Sequence, residues 1–146
     1  MDKSILVNSE VNGFVLPIYD LTVSRAWRGH ANIIFIELGE LKENKGIYTL
    51  WVETSFWKLV ELDSIFDGNE QSYKLIDTEL SKLVGQKINK FKYSSESKTF
   101  EASFDGGKRL ICTPSKDYFV SIILNSEKKY LNFEIDGSTN FEISKS

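Results

Sequence analysis

Apolar and polar residues alternate strictly in the later part of the chain. Phe100, Ala102 and Phe104 share one parity while Glu101 and Ser103 take the other, and Leu131, Phe133 and Ile135 alternate with Asn132, Glu134 and Asp136. A period of two sends successive side chains to opposite faces, so both segments read as strands with one wet face. Two earlier runs, Ile33–Ile36 and Thr49–Val52, are mostly apolar without that alternation and rich in β-branched and aromatic residues; they read as central strands covered on both faces. Asp105-Gly106-Gly107 tolerates positive φ between strands expected near 98–104 and 108–113, and Asp136-Gly137 marks a similar turn before Phe141-Glu142-Ile143.

One segment follows the helical period instead. Tyr73, Ile76, Leu80, Leu83 and Val84 fall on one face, which predicts a helix over 71–84 with Asn69 or Ser72 as its N-cap and Gly85 as its left-handed terminator. A second, shorter helical turn is expected around Asp63–Phe66. Val23 and Ile88, Ala26 and Phe91, and Phe35 and Phe100 each stand 65 positions apart, which points to a pseudo-repeat of two β-rich halves flanking the helix. The alternative is that strand and turn lengths, drawn from a narrow menu, let any two meanders align.

The fold class expected is therefore α+β, a mainly antiparallel sheet with one principal helix, because hairpin turns outnumber the long crossovers that parallel strands need. Ile34, Ile36, Leu50, Val52, Phe100, Phe104, Leu110, Ile122 and Leu131 form the expected core, with Ile76, Leu80 and Leu83 laid on it from the helix.

At 146 residues the chain has the length of one domain, spanning 1–146, and its 41% hydrophobic and 27% charged content suits a folded, dissolved protein. The net charge of −3 argues against general nucleic-acid affinity, which needs a basic surface. The opening MDKSILVNSEVNGF lacks the basic and apolar regions of a secretory signal, and no apolar run approaches the roughly 20 residues that span a bilayer. A single cysteine, Cys112, fits a reducing compartment, so the expected location is cytoplasmic, away from membranes.

Catalytic chemistry finds little material. His30 and Cys112 are the only imidazole and thiol, neither His-x-x-x-His nor Cys-x-x-Cys spacing occurs, and no phosphate-binding glycine motif is present. Cys112 shares parity with Leu110 and reads as a small buried apolar residue. No catalytic residue, cofactor or metal is expected. Carboxylates are plentiful: Glu37, Glu40 and Glu43 straddle a strand end, and Glu61, Asp63, Asp67 and Glu70 precede the helix. A pair of them could act as acid and base, so a small-molecule-binding or hydrolytic domain with a sheet-lined cleft stands as the alternative function. Arg25-Ala26-Trp27-Arg28-Gly29-His30 has the ingredients of a single-strand nucleic-acid element but is too short to carry one; the competing reading places Trp27 partly in the core and the arginines in ion pairs.

Charge is unevenly placed along the chain, with ten acids and four bases in residues 32–81 against five acids and ten bases in residues 82–130. An acidic face that survives folding would steer a basic partner. The leading expectation is a non-catalytic protein-binding module, docking a basic partner on Glu61, Asp63, Asp67 and Glu70 with Trp57 as the aromatic anchor. A third option is a subunit whose exposed strand pairs with a copy of itself.

The segment Leu21-Thr-Val-Ser-Arg-Ala-Trp-Arg-Gly-His30, continuing through Ile34-Phe-Ile-Glu-Leu-Gly39, resembles small bacterial immunity proteins of toxin–immunity systems, as does Gly85–Pro114 with its Phe104-Asp-Gly-Gly-Lys-Arg-Leu110. The resemblance lies in strand-and-turn pattern and carries no site residues. It implies a cytoplasmic protein that binds one cognate toxin, often a nuclease or other basic effector domain, and blocks its active site without catalysis.

Overall fold

The computed structural model describes residues 9–29, 33–53, 55–68, 71–94, 96–114, 118–134 and 136–144. Along them run α1 (Ser9–Val15), a 3-10 turn (Leu16–Asp20), β1 (Val23–Arg28), β2 (Ile34–Leu38), β3 (Tyr48–Val52), β4 (Ser55–Glu61), β5 (Ser64–Asp67), α2 (Tyr73–Ser81), β6 (Ile88–Ser94), β7 (Thr99–Phe104), β8 (Arg109–Pro114), β9 (Tyr118–Leu124), β10 (Lys129–Glu134) and β11 (Thr139–Ile143). The strands form a six-stranded sheet ordered β1-β2-β3-β9-β10-β11 and a five-stranded sheet ordered β5-β4-β8-β7-β6. Every strand pair is antiparallel, and both sheets contribute their apolar faces to one core. The fold is α+β and mainly antiparallel sheet.

The two sheets share one wiring plan. β1-β2-β3 is a meander in the first sheet, after which β4 crosses to the second and pairs with β8; β6-β7-β8 is a meander in the second, after which β9 crosses back to pair with β3. Substituting β6 for β1, and so on to β10 for β5, maps one strand order onto the other and leaves β11 as an addition. Each half opens with a register irregularity at the same place, between Val23 and Arg25 and between Ile88 and Lys90. Thr22 and Lys87, equivalent residues just ahead of those strands, bridge each other. The helical segments cross over as well: α2 precedes β6 but packs on β1, whereas the 3-10 turn precedes β1 but packs on β6, with Tyr19 5.9 Å from Phe91.

This plan retains two of the three sequence pairs and corrects the third. Val23 with Ile88, and Ala26 with Phe91, are buried at equivalent positions. Phe35 and Phe100 are not equivalent, because the register sets Phe35 opposite Trp27 but Glu101 opposite Lys92, where Trp27 and Lys92 correspond. A slip of one residue exchanges the faces of a strand, so Phe35 lies outside and Phe100 inside. Strand exchange also divides the charged segments. The acid-rich stretch supplies β2 to β5 and the base-rich stretch β6 to β9, so each sheet contains both, and Glu61 lies 3.2 Å from Lys108.

All nine expected core residues of the strands are buried, as are Ile76, Leu80 and Leu83. The helix is shorter than its predicted span. Ser72 caps it, its Oγ accepting from the Leu75 N–H at 3.3 Å, and beyond Ser81 the backbone tightens to three-residue hydrogen bonds before Gly85 turns at φ +90°. Asn69 lies outside the described residues. Tyr73 and Val84 are exposed, so the buried stripe is narrower than the periodicity suggests. Asp63–Phe66, expected as a helical turn, is instead a hairpin tip followed by β5, which pairs Ile65 with Val60 and Phe66 with Leu59. Pairing with β4 satisfies this short segment's backbone groups, which a lone helical turn would leave open. α1 buries only Val11 and Val15, too brief a pattern to register as a helix in sequence.

Candidate functional site

The acids expected to form a docking surface do not surround an exposed tryptophan. Trp57 is 1% exposed: alternation along β4 turns Trp57 and Leu59 into the core, and Gly68 lies so close that a Cβ there would stand 2.3 Å from the indole ring. Trp57 is therefore a core residue, not a surface anchor. Glu61 pairs with Lys108, Asp63 is exposed at the β4–β5 tip, Asp67 ends β5 half-buried, and Glu70 lies outside the described residues.

The tip has a different feature. Nine described residues have left-handed φ: four are glycines, four are Glu43, Asn44, Lys98 and Lys128, and only Leu62, at φ +53° and 94% exposed, is aliphatic. Leu62→Gly should raise the unfolding free energy by about 1 kcal/mol by relieving the left-handed backbone, read by urea denaturation. A loss of stability would show that the leucine side chain serves the turn.

The outer faces of the two sheets provide an internal comparison. Strand register aligns Trp27, Phe35, Trp51, Ser121, Asn132 and Asn140 in one row across the six-stranded sheet. Trp27 and Phe35 stack with centroids 5.0 Å apart, Phe35 and Trp51 with centroids 6.2 Å apart, and the Arg25 guanidinium lies 3.9 Å over Trp27. Beyond Trp51 the row turns polar: Ser121 Oγ donates to Asn132 Oδ1 at 2.6 Å, and Asn132 Nδ2 donates to Asn140 Oδ1 at 3.1 Å. In the five-stranded sheet the equivalent row is Lys92, Glu101, Ile111, Lys58 and Asp67, a solvated pattern of mostly mixed charge. Trp27, read in sequence as partly in the core, stands on the outer face; Arg28 lies 3.6 Å over Tyr73 of α2.

Beside the aromatic row lies a hollow of about 450 Å³. Its floor is the neighbouring register row, in which Glu37, Thr49, Ile123 and Tyr130 follow one another across four strands. Its second wall is a small hairpin in which Lys42 and Lys45 exchange backbone hydrogen bonds of 2.7 and 3.0 Å around Glu43 and Asn44, both left-handed as a type I′ turn requires. Glu37 holds this hairpin down: its Oε1 accepts from the Gly46 N–H at 2.9 Å and from the Thr49 hydroxyl at 2.5 Å. Asn125 Nδ2 reinforces it, donating to Gly46 O at 2.8 Å and to Thr49 Oγ1 at 2.9 Å.

Glu37 is 1% exposed, yet among the described residues no lysine or arginine reaches it within 4.0 Å and no donor reaches Oε2. The indole Nε1 of Trp51 is also buried without a partner among them. The buried indole N–H is costly in that condition unless an acceptor arrives to meet it, whereas Oε2 of Glu37 is not among the sealed, unpartnered atoms and stays open to the hollow.

Elsewhere, burial pushes the Cys112 thiol up, in keeping with a small core residue. Burial likewise raises Tyr93 to about 12, against the opposing pull of a backbone hydrogen bond. His30, the other half of any Cys–His pair, lies outside the described residues. Among those described, no three metal-ligating side chains converge and no helix is long and apolar enough to cross a membrane.

The sequence carried a legible sign of this site. Phe35 with Glu37, and Thr49 with Trp51, combine an aromatic with a polar residue on one parity of each central strand, whereas a doubly buried strand would be apolar on both. The chain matches no family model, no curated protein and no solved structure.

Proposed function

We propose that this chain is a non-catalytic protein-binding module of the immunity type, which neutralises a basic toxin domain by docking the aromatic outer face of its six-stranded sheet. The observation that carries the reading is the inequality of two equivalent rows, one across the outer face of each sheet, built on one wiring plan. Lys92, Glu101 and Lys58 supply what such a face needs to be stable in water, and Trp27, Phe35 and Trp51 stand where equivalent positions are charged or aliphatic. Partly exposed aromatics are the side chains most used as interface anchors, because they bury much area with little loss of rotamer entropy. The acids 61–67 become a secondary, steering feature.

The test is a calorimetric titration against the protein encoded beside this one. Saturable binding is expected, weakened at least 30-fold in a Trp27→Ser, Trp51→Ser double variant that keeps its far-ultraviolet circular dichroism, since two anchors together should exceed about 2 kcal/mol. An unchanged affinity would remove this face from consideration. The hollow of about 450 Å³ also supports the second reading, a small-molecule site, because ligand pockets span that size.

A further inference from the structure

We propose that the hollow takes the guanidinium group of an arginine on the protein partner, seated against the aromatic row and paired with Glu37. This rests on the docking role above and names the chemical group that enters.

The floor creates the demand. Glu37 is a buried carboxylate whose Oε1 is occupied by Gly46 and Thr49, while Oε2 receives no hydrogen bond from the described residues and no cation stands within 4.0 Å. Buried carboxylates are ordinarily paired, and an arriving cation that also brings N–H donors meets both needs at once.

The wall selects the shape. Trp27, Phe35 and Trp51 present a stacked row about 7 Å along the strands from Glu37 and its neighbours, the two-residue repeat of a strand. The chain already shows that a ring of this row receives a guanidinium, with Arg25 at 3.9 Å over Trp27, which leaves Phe35 and Trp51 to a second one. A planar, weakly hydrated guanidinium can lie on a ring and offer a fork of donors to a carboxylate; a lysine ammonium, compact and strongly hydrated, cannot do both.

The opposite wall is compatible in charge. Glu43 and Lys45 of the hairpin offset each other, so the lining itself carries one carboxylate in excess, Glu37, whose cross-strand neighbour Arg25 is turned onto Trp27 and stands more than 4.0 Å from it. The source is a side chain on a partner rather than free arginine, because the hollow opens beside the aromatic row proposed to dock one. The lining's one carboxylate in excess favours a basic side chain on that partner.

The experiment titrates the intact chain with acetyl-Gly-Arg-Gly-amide, its citrulline and lysine counterparts, and free arginine, following tryptophan fluorescence. The arginine peptide should saturate and bind at least tenfold tighter than the citrulline peptide, and tighter than the lysine peptide and free arginine. Glu37→Gln, whose amide oxygen can still accept from Gly46 and Thr49, should abolish the preference for arginine over citrulline at an unchanged melting temperature. Trp51→Ser provides a second variant on the other wall and should weaken the arginine peptide at least fivefold. No saturable change, equal binding of citrulline or lysine, tighter binding of free arginine, or preference retained in both variants would overturn the proposal. A neighbouring-gene partner lost on mutating Trp27 and Trp51, with an arginine peptide that neither binds nor competes, would overturn this inference and leave the docking role standing. Peptide binding with no partner binding would do the reverse.

Discussion

Replacing Phe100 with alanine should lower the unfolding free energy by about 3–5 kcal/mol, the loss typical of a buried phenylalanine when both its transfer energy and a residual cavity count against the fold. Phe100 is fully buried on β7, with ring centroids 5.7 Å from Phe91 on β6 and 4.9 Å from Phe133 on β10. Phe133 in turn meets Tyr93 edge-on at 5.2 Å, and the Tyr93 hydroxyl donates to the Glu134 carbonyl. Phe100 thus joins the two sheets at the centre of an aromatic cluster. Because each half has lent its later strands to the other sheet, neither can unfold alone without opening both, so the variant should still melt in a single transition. Urea denaturation followed by fluorescence and circular dichroism together reads both points. A cost below 1 kcal/mol, or two separated transitions, would contradict the shared core.

Gly46→Ala should cost about 3 kcal/mol, at the upper end of what forced overpacking produces, and should weaken the arginine peptide in parallel. A Cβ on Gly46 would stand 2.5 Å from the Leu38 carbonyl oxygen and 2.7 Å from its nitrogen. Those are main-chain atoms at the end of β2 and cannot rotate away, so the hairpin must lift. Lifting it withdraws the Gly46 N–H from Glu37 and parts the wall from the floor. Gly13 is the matched control, since a Cβ there meets nothing within 4 Å. A Gly46→Ala protein as stable as the parent would show that the hairpin seat is loose.

The local parts of the fold were legible because each depends on residues close together in the chain. The alternation at Phe100–Phe104, the glycine turns at 107 and 137, the Ser72 cap and the buried stripe of Ile76, Leu80 and Leu83 all follow from periods of two or 3.6 and from residues that tolerate left-handed φ. They also forced the antiparallel class. The faint 65-residue echo was legible for the same reason at Val23 and Ala26, and failed at Phe35, where a one-residue offset changes the face.

Tertiary structure decided what the two faces of each strand meet. Alternation sorts Trp57 from Lys58, but only the pairing of β4 with β8 turns the tryptophan toward the core. Strand parity puts Phe35 and Glu37 on one face, but only the lateral register of β1, β2 and β3 stacks Trp27, Phe35 and Trp51 into one wall and brings the distant Asn125 to the hairpin that faces it. The acidic and basic segments likewise follow from sequence, and their interleaving from strand exchange. Sequence thus determined the elements and the class, because these rest on short-range periodicity; the fold alone determined the site, because a sheet row joins residues that only non-local hydrogen bonding can align.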